Sequence, residues 1–237
     1  LIWFHNNYIG KPEVGLKLFK TYKEKLMKGT NPGYIGYMYL NAADSYYYTG
    51  DMDTSFKYYA ITKDYALKAK DQQLYGYATM YTGSNQSELG EFAEASKSFK
   101  EAAQIFTKLK DTTNILWTKN ELGVLYSRNA FYEEAEKERN EAIALVGNTT
   151  RFRVLSNLYF NAAEDNRKTK NLKKQLVNIK ASFLANSKTD NVSLVEPKIL
   201  SKLIVAYCEN DSLQQAERYF EHLNALSLKN DSKVLKE

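Results

Sequence analysis

The chain has 237 residues, 43% of them hydrophobic and 26% charged, and this ordinary composition excludes a disordered or collagen-like protein. Its net charge of +5 is a mild excess, short of the concentrated basic surface that nucleic-acid binding requires. Three Pro and eleven Gly leave few helix breakers, so we expect long helices. No apolar run approaches the roughly 20 residues of a membrane span.

Candidate catalytic and metal-binding residues are scarce in this sequence. Cys208 is the single cysteine, which excludes an intrachain disulfide and a cysteine metal cluster, and we expect it to be a small core residue. The phosphate-binding pattern of a glycine-rich loop followed by Gly-Lys-Ser/Thr is absent. We therefore expect a protein that is not an enzyme and that holds no cofactor and no metal.

A motif of glycine, aromatic, alanine, aromatic and alanine recurs along the whole chain. Its best copy lies within residues 88–106, ELGEFAEASKSFKEAAQIF. Five copies keep a period of 40 residues and the last slips by one. In chain order the copies are Gly10/Gly15/Phe19/Tyr22, Gly50/Met52/Ser55/Tyr59/Thr62, Gly90/Phe92/Ala95/Phe99/Ala102, Ala130/Tyr132/Ala135/Arg139/Ala142, Lys170/Leu172/Gln175/Ile179/Ser182 and Asp211/Leu213/Ala216/Phe220/Leu223. Such a period predicts repeated supersecondary units.

A second helix is predicted before each copy of the motif. It carries a small residue that lets two helices approach closely, as in Leu122-Gly123-Val124-Leu125-Tyr126. The link to the motif helix is short. A Lys-Asp dipeptide recurs after the motif helix, as Lys70-Asp71 and Lys110-Asp111. The sequence therefore predicts antiparallel helix pairs stacked in series. We expect a single domain over 1–237, with approximate units 1–33, 34–73, 74–113, 114–150, 151–192 and 193–237.

The combined pattern Leu-Gly-x-x-Tyr, then Gly-x-aromatic-x-x-Ala-x-x-x-aromatic-x-x-Ala, resembles the tetratricopeptide repeat (TPR). Residues 122–142 carry it nearly complete, and residues 83–102 and 43–62 follow closely. The period is longer than the family's usual value of about 34 residues. The family's Trp in the first helix and Pro after the second helix are missing. The resemblance implies an all-α fold, a right-handed superhelical α-solenoid of about six antiparallel helix pairs.

The resemblance also implies where a partner binds, because the leading helices of a TPR array line its concave groove. Tyr and Asn suit an extended peptide, since amides pair with backbone and Tyr adds contact area at low entropy cost. We therefore expect a non-enzymatic protein- or peptide-binding scaffold. The expected groove residues are Tyr37, Asn41, Asp44, Tyr48, Tyr77, Tyr81, Ser84, Trp117, Asn120, Glu121, Asn157, Asn161, Glu164 and Arg167, followed by Lys198 and Lys202.

Several alternatives stay open at this point. A nucleic-acid-binding helical repeat is the second hypothesis, motivated by basic residues of the fifth unit: Arg151, Arg153, Arg167, Lys168, Lys170, Lys173 and Lys174.

Long-period arrays resemble those of bacterial TPR regulators and sensors. Because the chain begins at Leu1 rather than Met, we expect a piece of a longer chain. We expect it in the cytoplasm, with the periplasmic part of a membrane-anchored regulator as the alternative, and terminal repeats could form a homo-oligomer.

Overall fold

The computed structural model describes residues 2, 10–28, 31–146, 151–189 and 192–234, and within these ranges the chain is helical apart from short turns. No β-strand occurs in this described part, so the all-α prediction is confirmed. The helices are α1 (Pro12–Met27), α2 (Pro32–Tyr48), α3 (Met52–Ala69), α4 (Gln72–Glu88), α5 (Phe92–Lys108), α6 (Thr112–Arg128), α7 (Tyr132–Val146), α8 (Phe152–Lys168), α9 (Leu172–Asn186), α10 (Val192–Glu209) and α11 (Leu213–Val234).

Neighbouring helices pack in pairs, as the repeat predicts. Helix α2 packs on α3, α4 on α5, α8 on α9 and α10 on α11, each pair joined by a turn of a few residues. The chain divides into two compact units, unit 1 (Leu1–Leu125) and unit 2 (Tyr126–Glu237). The organisation as one domain with six repeats stays a prediction.

The turns within the helix pairs repeat one backbone conformation. Gly10, Gly50 and Gly90 have positive φ values of 66°, 85° and 79°. Forty residues further along each time, Ala130 and Lys170 adopt the same left-handed conformation, and Asp211 does so one residue late. The period read from the sequence is therefore also a period in backbone geometry. Glycine suits these positions because it has no Cβ to clash with the following carbonyl.

The recurring Lys-Asp turns join one helix pair to the next. Lys70 and Lys110 end their helices in the left-handed conformation, with φ values of 55° and 56°. Each following aspartate then caps the next helix: Asp71 Oδ1 accepts a hydrogen bond from the Leu74 N–H at 2.9 Å. Asp111 Oδ1 accepts one from the Asn114 N–H at 3.2 Å. The dipeptide therefore ends one helix and starts another.

The motif positions form the core, as their spacing predicts. Tyr59 and Phe99 are each 1% exposed. A Cβ added to Gly83 would lie 3.0 Å from the Phe99 ring, so glycine allows this close approach without any shift of the ring. One expectation is wrong: Cys208 is exposed, because its neighbours Ala206 and Tyr207 face inward and the helix turns Cys208 outward.

Unit 2 replaces one of these packing aromatics with a buried charge. Arg139 stands 40 residues after Phe99 and is 2% exposed. Its guanidinium donates to the carboxylate of Asp165, which is itself buried and also accepts from the Ser127 hydroxyl. Lys168 Nζ donates to Ser127 Oγ at 3.3 Å. This network, termed the Arg139–Asp165 network, fills the space that a ring fills elsewhere.

The left-handed turns give a direct stability prediction. Ala130→Gly is expected to stabilise unit 2 by about 1 kcal/mol, because Ala130 has a φ of 63° that costs an alanine about 1–2 kcal/mol. The extra entropy of glycine in the unfolded chain offsets part of that gain. Urea unfolding measures the difference. The matched control Ala144→Gly, an exposed position within α7, should instead lose about 1 kcal/mol. Equal effects of the two variants would contradict the argument.

Candidate functional site

The leading helices of unit 1 lie side by side and are joined by polar contacts. Helix α2 contacts α4 directly. Tyr77 on α4 accepts hydrogen bonds at its hydroxyl from Asn114 Nδ2 at 3.1 Å and from Gln73 Nε2 at 3.2 Å. Burial, together with the nearby Asp71 carboxylate, raises the pKa of Tyr37 to about 12. Tyr37 therefore remains a neutral phenol near the start of α2.

A second group of side chains lies further along α2 and α4 and includes Tyr59 of α3. The Tyr59 hydroxyl donates to Asp44 Oδ1 at 2.8 Å. The rings of Tyr59 and Tyr81 are stacked, with centroids 5.8 Å apart and planes 22° from parallel. Asp44 is 8% exposed, and burial raises the pKa of its carboxyl to about 7, although the Tyr59 hydrogen bond opposes the rise. Asp44 is therefore a buried carboxyl that titrates near neutral pH.

Tyr48 and Glu121 complete this group. Burial, then the charges of Asp44 and Glu121, raise the pKa of Tyr48. The same causes raise the pKa of Tyr81, with further contributions from Tyr48 and Tyr77. Both phenols thus lie near both carboxylates, and Tyr48 is 55% exposed. We call Asp44, Tyr48, Tyr59, Tyr81 and Glu121 the tyrosine–carboxylate cluster.

The remaining predicted groove residues of unit 1 differ in how much of their side-chain surface is exposed to solvent. Asn41 is half-buried and its amide donates to the Tyr37 carbonyl at 2.6 Å. Ser84 and Trp117 are half-buried. Asn120 is 4% exposed, and its amide lies 3.4 Å from Glu121 Oε1. Asn120 therefore offers a partner little surface of its own and lies beside a carboxylate of the cluster.

In unit 2 four of the predicted groove residues lie along α8, and the two charged ones form ion pairs with α10. Asn157 and Asn161 are half-buried. Glu164 accepts from Lys202 Nζ at 2.8 Å. Arg167 donates to Glu209 Oε1 from Nε at 2.9 Å and from Nη2 at 2.7 Å.

Two further basic residues of unit 2, Lys198 and Lys174, also contact other side chains. Lys198 is exposed and its Nζ lies 4.7 Å from the Phe160 ring centroid. Lys174 of the predicted basic cluster pairs with Glu136. Part of that cluster is therefore engaged within the protein, along with Arg167.

The described residues include no group of three or more His, Cys, Asp or Glu side chains arranged to hold a metal ion. No helix in the same ranges combines the length and apolarity needed to cross a membrane. The expected groove residues supply phenols, amides, carboxylates and cationic groups, which recognise ligands by hydrogen bonds, ring contacts and charge.

Sequence reasoning missed one member of the cluster, Tyr59. Its repeat position places it among packing residues, where Phe19 and Phe99 also stand. The available signal was its hydroxyl, because a buried tyrosine oxygen needs a polar partner. That partner is Asp44, which the sequence had already placed on the leading helix.

Comparisons with known proteins show the fold. No family model matches the chain, and no curated protein matches it in sequence. Among solved structures, BtubC from P. vanneervenii aligns with a TM-score of 0.74 at 13% identity, over 95% of this chain and 92% of that one. The TPR-like repeats of a putative kinesin light chain from Podosopora anserina align with a TM-score of 0.66 at 14% identity, over 85% and 98%. The fold is that of TPR-like helical repeats.

A third similar structure was solved as a complex. A Rap protein complexed with competence and sporulation factor aligns with a TM-score of 0.71 at 14% identity, over 96% of this chain and 74% of that chain. At this identity the likeness extends to the fold alone. It confirms the TPR-like architecture that the 40-residue motif predicts.

Proposed function

We propose that the chain is a non-enzymatic binding module whose leading helices engage an extended peptide or a segment of a partner protein. The observation that carries this proposal is the tyrosine–carboxylate cluster, in which Tyr59 of α3 bonds to the buried Asp44 carboxyl and Tyr48 of α2 is 55% exposed. The cluster residues, except Tyr59, are among those that the TPR resemblance implies for the groove. The Rap protein bound to competence and sporulation factor supports a peptide as the kind of ligand.

Preformed helices make this a suitable receptor. Phenols and amides fixed on packed helices lose little conformational freedom when a ligand binds, so more of the contact energy is available for affinity. Tyr77 and Tyr37 already have polar partners at their hydroxyls, and both rings pack against the core, so the two side chains are held in place before a ligand binds. An extended peptide also presents backbone groups that the half-buried side chain of Asn41 would meet.

More specifically, we propose that the module is the sensor part of a bacterial signalling or transcription regulator. This part of the proposal rests on the TPR resemblance and on the peptide-bound Rap protein. The nucleic-acid alternative has less support, because Arg167 and Lys174 of the basic cluster are paired with Glu209 and Glu136. A homo-oligomer through the terminal repeats stays a further proposal.

Selection from a phage-displayed random heptapeptide library, with the purified chain immobilised, tests the proposal. Peptides that enrich are synthesised and titrated calorimetrically against the wild type and against Tyr48→Ser and Asn41→Ala, both on α2. We expect both variants to weaken binding about tenfold, which corresponds to roughly 1.4 kcal/mol, with thermal unfolding nearly unchanged. Phe56→Ser, at an exposed residue of α3, is the matched control and should bind normally. Failure of any peptide to enrich, or loss of binding in the control alone, would contradict the proposal.

A further inference from the structure

A polar cavity of about 300 Å³ lies within unit 2, between α7, α8 and α9. From α8 its lining includes Tyr159, Asp165 and Asn166, and none of the expected groove residues of that helix lines it. A volume of this size is at the lower end of the range found for small-molecule sites. The cavity is therefore a candidate site on a part of α8 that the expected groove does not use.

The cavity lies where the fifth repeat departs from the packing of other repeats. One position of the leading helix faces one position of the trailing helix, and in two repeats both are tyrosines with rings in contact: Tyr46 with Tyr58, and Tyr207 with Tyr219. The fifth repeat has Asn166 and Asn178 at the same two positions, three periods after the first tyrosine pair and 41 residues before the second. Two amides fill less volume than two phenol rings, so this repeat leaves polar space where others are packed.

The two asparagines leave one donor group and one acceptor group for a ligand. Asn178 Nδ2 donates to Asn166 Oδ1 at 3.0 Å, and within the described ranges neither side chain forms another hydrogen bond. Asn166 is 7% exposed, and both residues line the cavity. Buried amides normally use both of their polar groups. The N–H groups of Asn166 and the carbonyl oxygen of Asn178 therefore suit a ligand that offers an acceptor and a donor together.

The charged residues of the lining favour a neutral group over an ion. Arg139 pairs with Asp165 at the buried end of the cavity, and Lys174 pairs with Glu136 where both side chains are exposed by more than 40%. Glu133 adds a carboxylate at an exposed position. An anionic ligand would approach these carboxylates, and a cationic ligand would approach Arg139 and Lys174. Because contacts between like charges reduce affinity, a phosphate or an ammonium group fits this lining poorly.

We propose that this cavity binds a carboxamide group, the side-chain amide of glutamine or asparagine. The carboxamide would accept a hydrogen bond from Asn166 and donate one to Asn178, a combination that neither a carboxylate nor an ammonium group can form. The half-buried rings of Tyr132 and Tyr159 supply apolar surface for the stem of the side chain. A free amino acid and a residue within a peptide present this same group. The site goes beyond the proposed function, because it lies outside the expected groove.

Calorimetric titration of the whole chain with small probes tests this inference. The probes are L-glutamine, L-asparagine, L-glutamate and N-acetyl-L-glutamine methylamide. We expect an amide probe to bind at least about tenfold more tightly than L-glutamate, which has the shape of glutamine but cannot donate from its ionised side chain. The blocked glutamine lacks the two α-charges, as a residue within a peptide does. Binding of the blocked probe identifies a peptide as the source of the amide, and binding of the free amino acids alone identifies a free ligand.

Variants at Asn178 locate the binding site. Asn178→Leu keeps about the same size and removes both amide groups, so binding should weaken at least about tenfold. Asn178→Tyr introduces the residue found at Tyr58 and Tyr219, which should fill the cavity and abolish binding. Val177→Tyr adds the same ring at the neighbouring position, which is 65% exposed, and should bind as the wild type does. Urea unfolding checks that each variant is folded, and Asn178→Leu decides the matter if Asn178→Tyr does not fold.

Three results would overturn the inference. The first is the absence of saturable binding by any amide probe. The second is binding of L-glutamate as tight as that of the amides, which would contradict recognition of a carboxamide. The third is amide binding that no folded Asn178 variant weakens, which would place the ligand elsewhere. None of these results depends on the peptide selection against the leading helices, so the two proposals fail separately.

Discussion

Replacing Asp44 with asparagine is expected to stabilise the protein by about 2–4 kcal/mol at pH 8 and by little at pH 4. Burial raises the pKa of Asp44 from 3.8 to about 7 in the folded state. In the unfolded chain the carboxyl ionises near pH 4, so the folded state binds the extra proton between pH 4 and pH 7. Stability is therefore lost as the pH rises through this window. A shift of about three pK values corresponds to about 4 kcal/mol, and asparagine avoids this cost because it cannot ionise.

Urea unfolding of the two proteins from pH 4 to pH 8 measures this effect. The difference in free energy of unfolding should grow steadily up to about pH 7 and then level off. Asp64→Asn, an exposed aspartate on α3, is the matched control and should change stability by less than about 0.5 kcal/mol at every pH. A loss of stability at pH 8 on replacing Asp44, or a gain that is the same at pH 4, would contradict the account. A confirmed gain would show that the protein retains a destabilising residue at the site proposed to bind its ligand.

Removing Asp165 is expected to give the largest loss of stability, about 3–5 kcal/mol for Asp165→Leu. Arg139 is 2% exposed and forms its ion pair with Asp165, so this variant leaves a buried guanidinium without that carboxylate. The double variant Arg139→Phe with Asp165→Leu should recover most of the loss. Phenylalanine and leucine stand 40 residues earlier at both positions, as Phe99 and Leu125, so the pair is compatible with this fold.

A double-mutant cycle measured by urea unfolding tests this expectation. The cycle compares the wild type, Asp165→Leu, Arg139→Phe and the double variant. We expect a coupling energy of several kcal/mol, because an ion pair replaced by apolar residues of similar volume is often neutral or stabilising. Lys174→Ala, which removes an ion pair with Glu136 on the exposed surface, is the control and should cost no more than about 1 kcal/mol. Additive losses at Arg139 and Asp165 would contradict the role of the Arg139–Asp165 network.

The 40-residue period was sufficient to predict the helix pairs and the positions of their turns. It works because each copy solves the same packing problem with the same residue sizes, such as Gly83 against Phe99. Even the departures from glycine at Ala130 and Lys170 keep the left-handed conformation, since the short connection between the helices requires it. Local geometry therefore follows directly from spacing in this chain.

The polar contacts between helices could not be predicted in the same way. Arg139 is visible in the sequence as an exception at a packing position, but a long arginine side chain can also reach solvent from such a position. Its pairing with Asp165, 26 residues away, depends on how three helices pack. The hydrogen bond from Tyr59 to Asp44 depends likewise on the approach of α2 and α3. Spacing placed Asp44 on the leading helix but gave no indication of its burial.

Hydrogen exchange in the presence and absence of a selected heptapeptide is the most direct test of the central claim that the leading helices bind the partner. Peptide binding should slow amide exchange in α2, α4 and α6 and leave the trailing helices α3 and α5 unchanged. Side-chain contacts to Tyr48 and Tyr81 would tighten these helices against local opening. Protection confined to α3 and α5, with α2, α4 and α6 unaffected, would contradict the account.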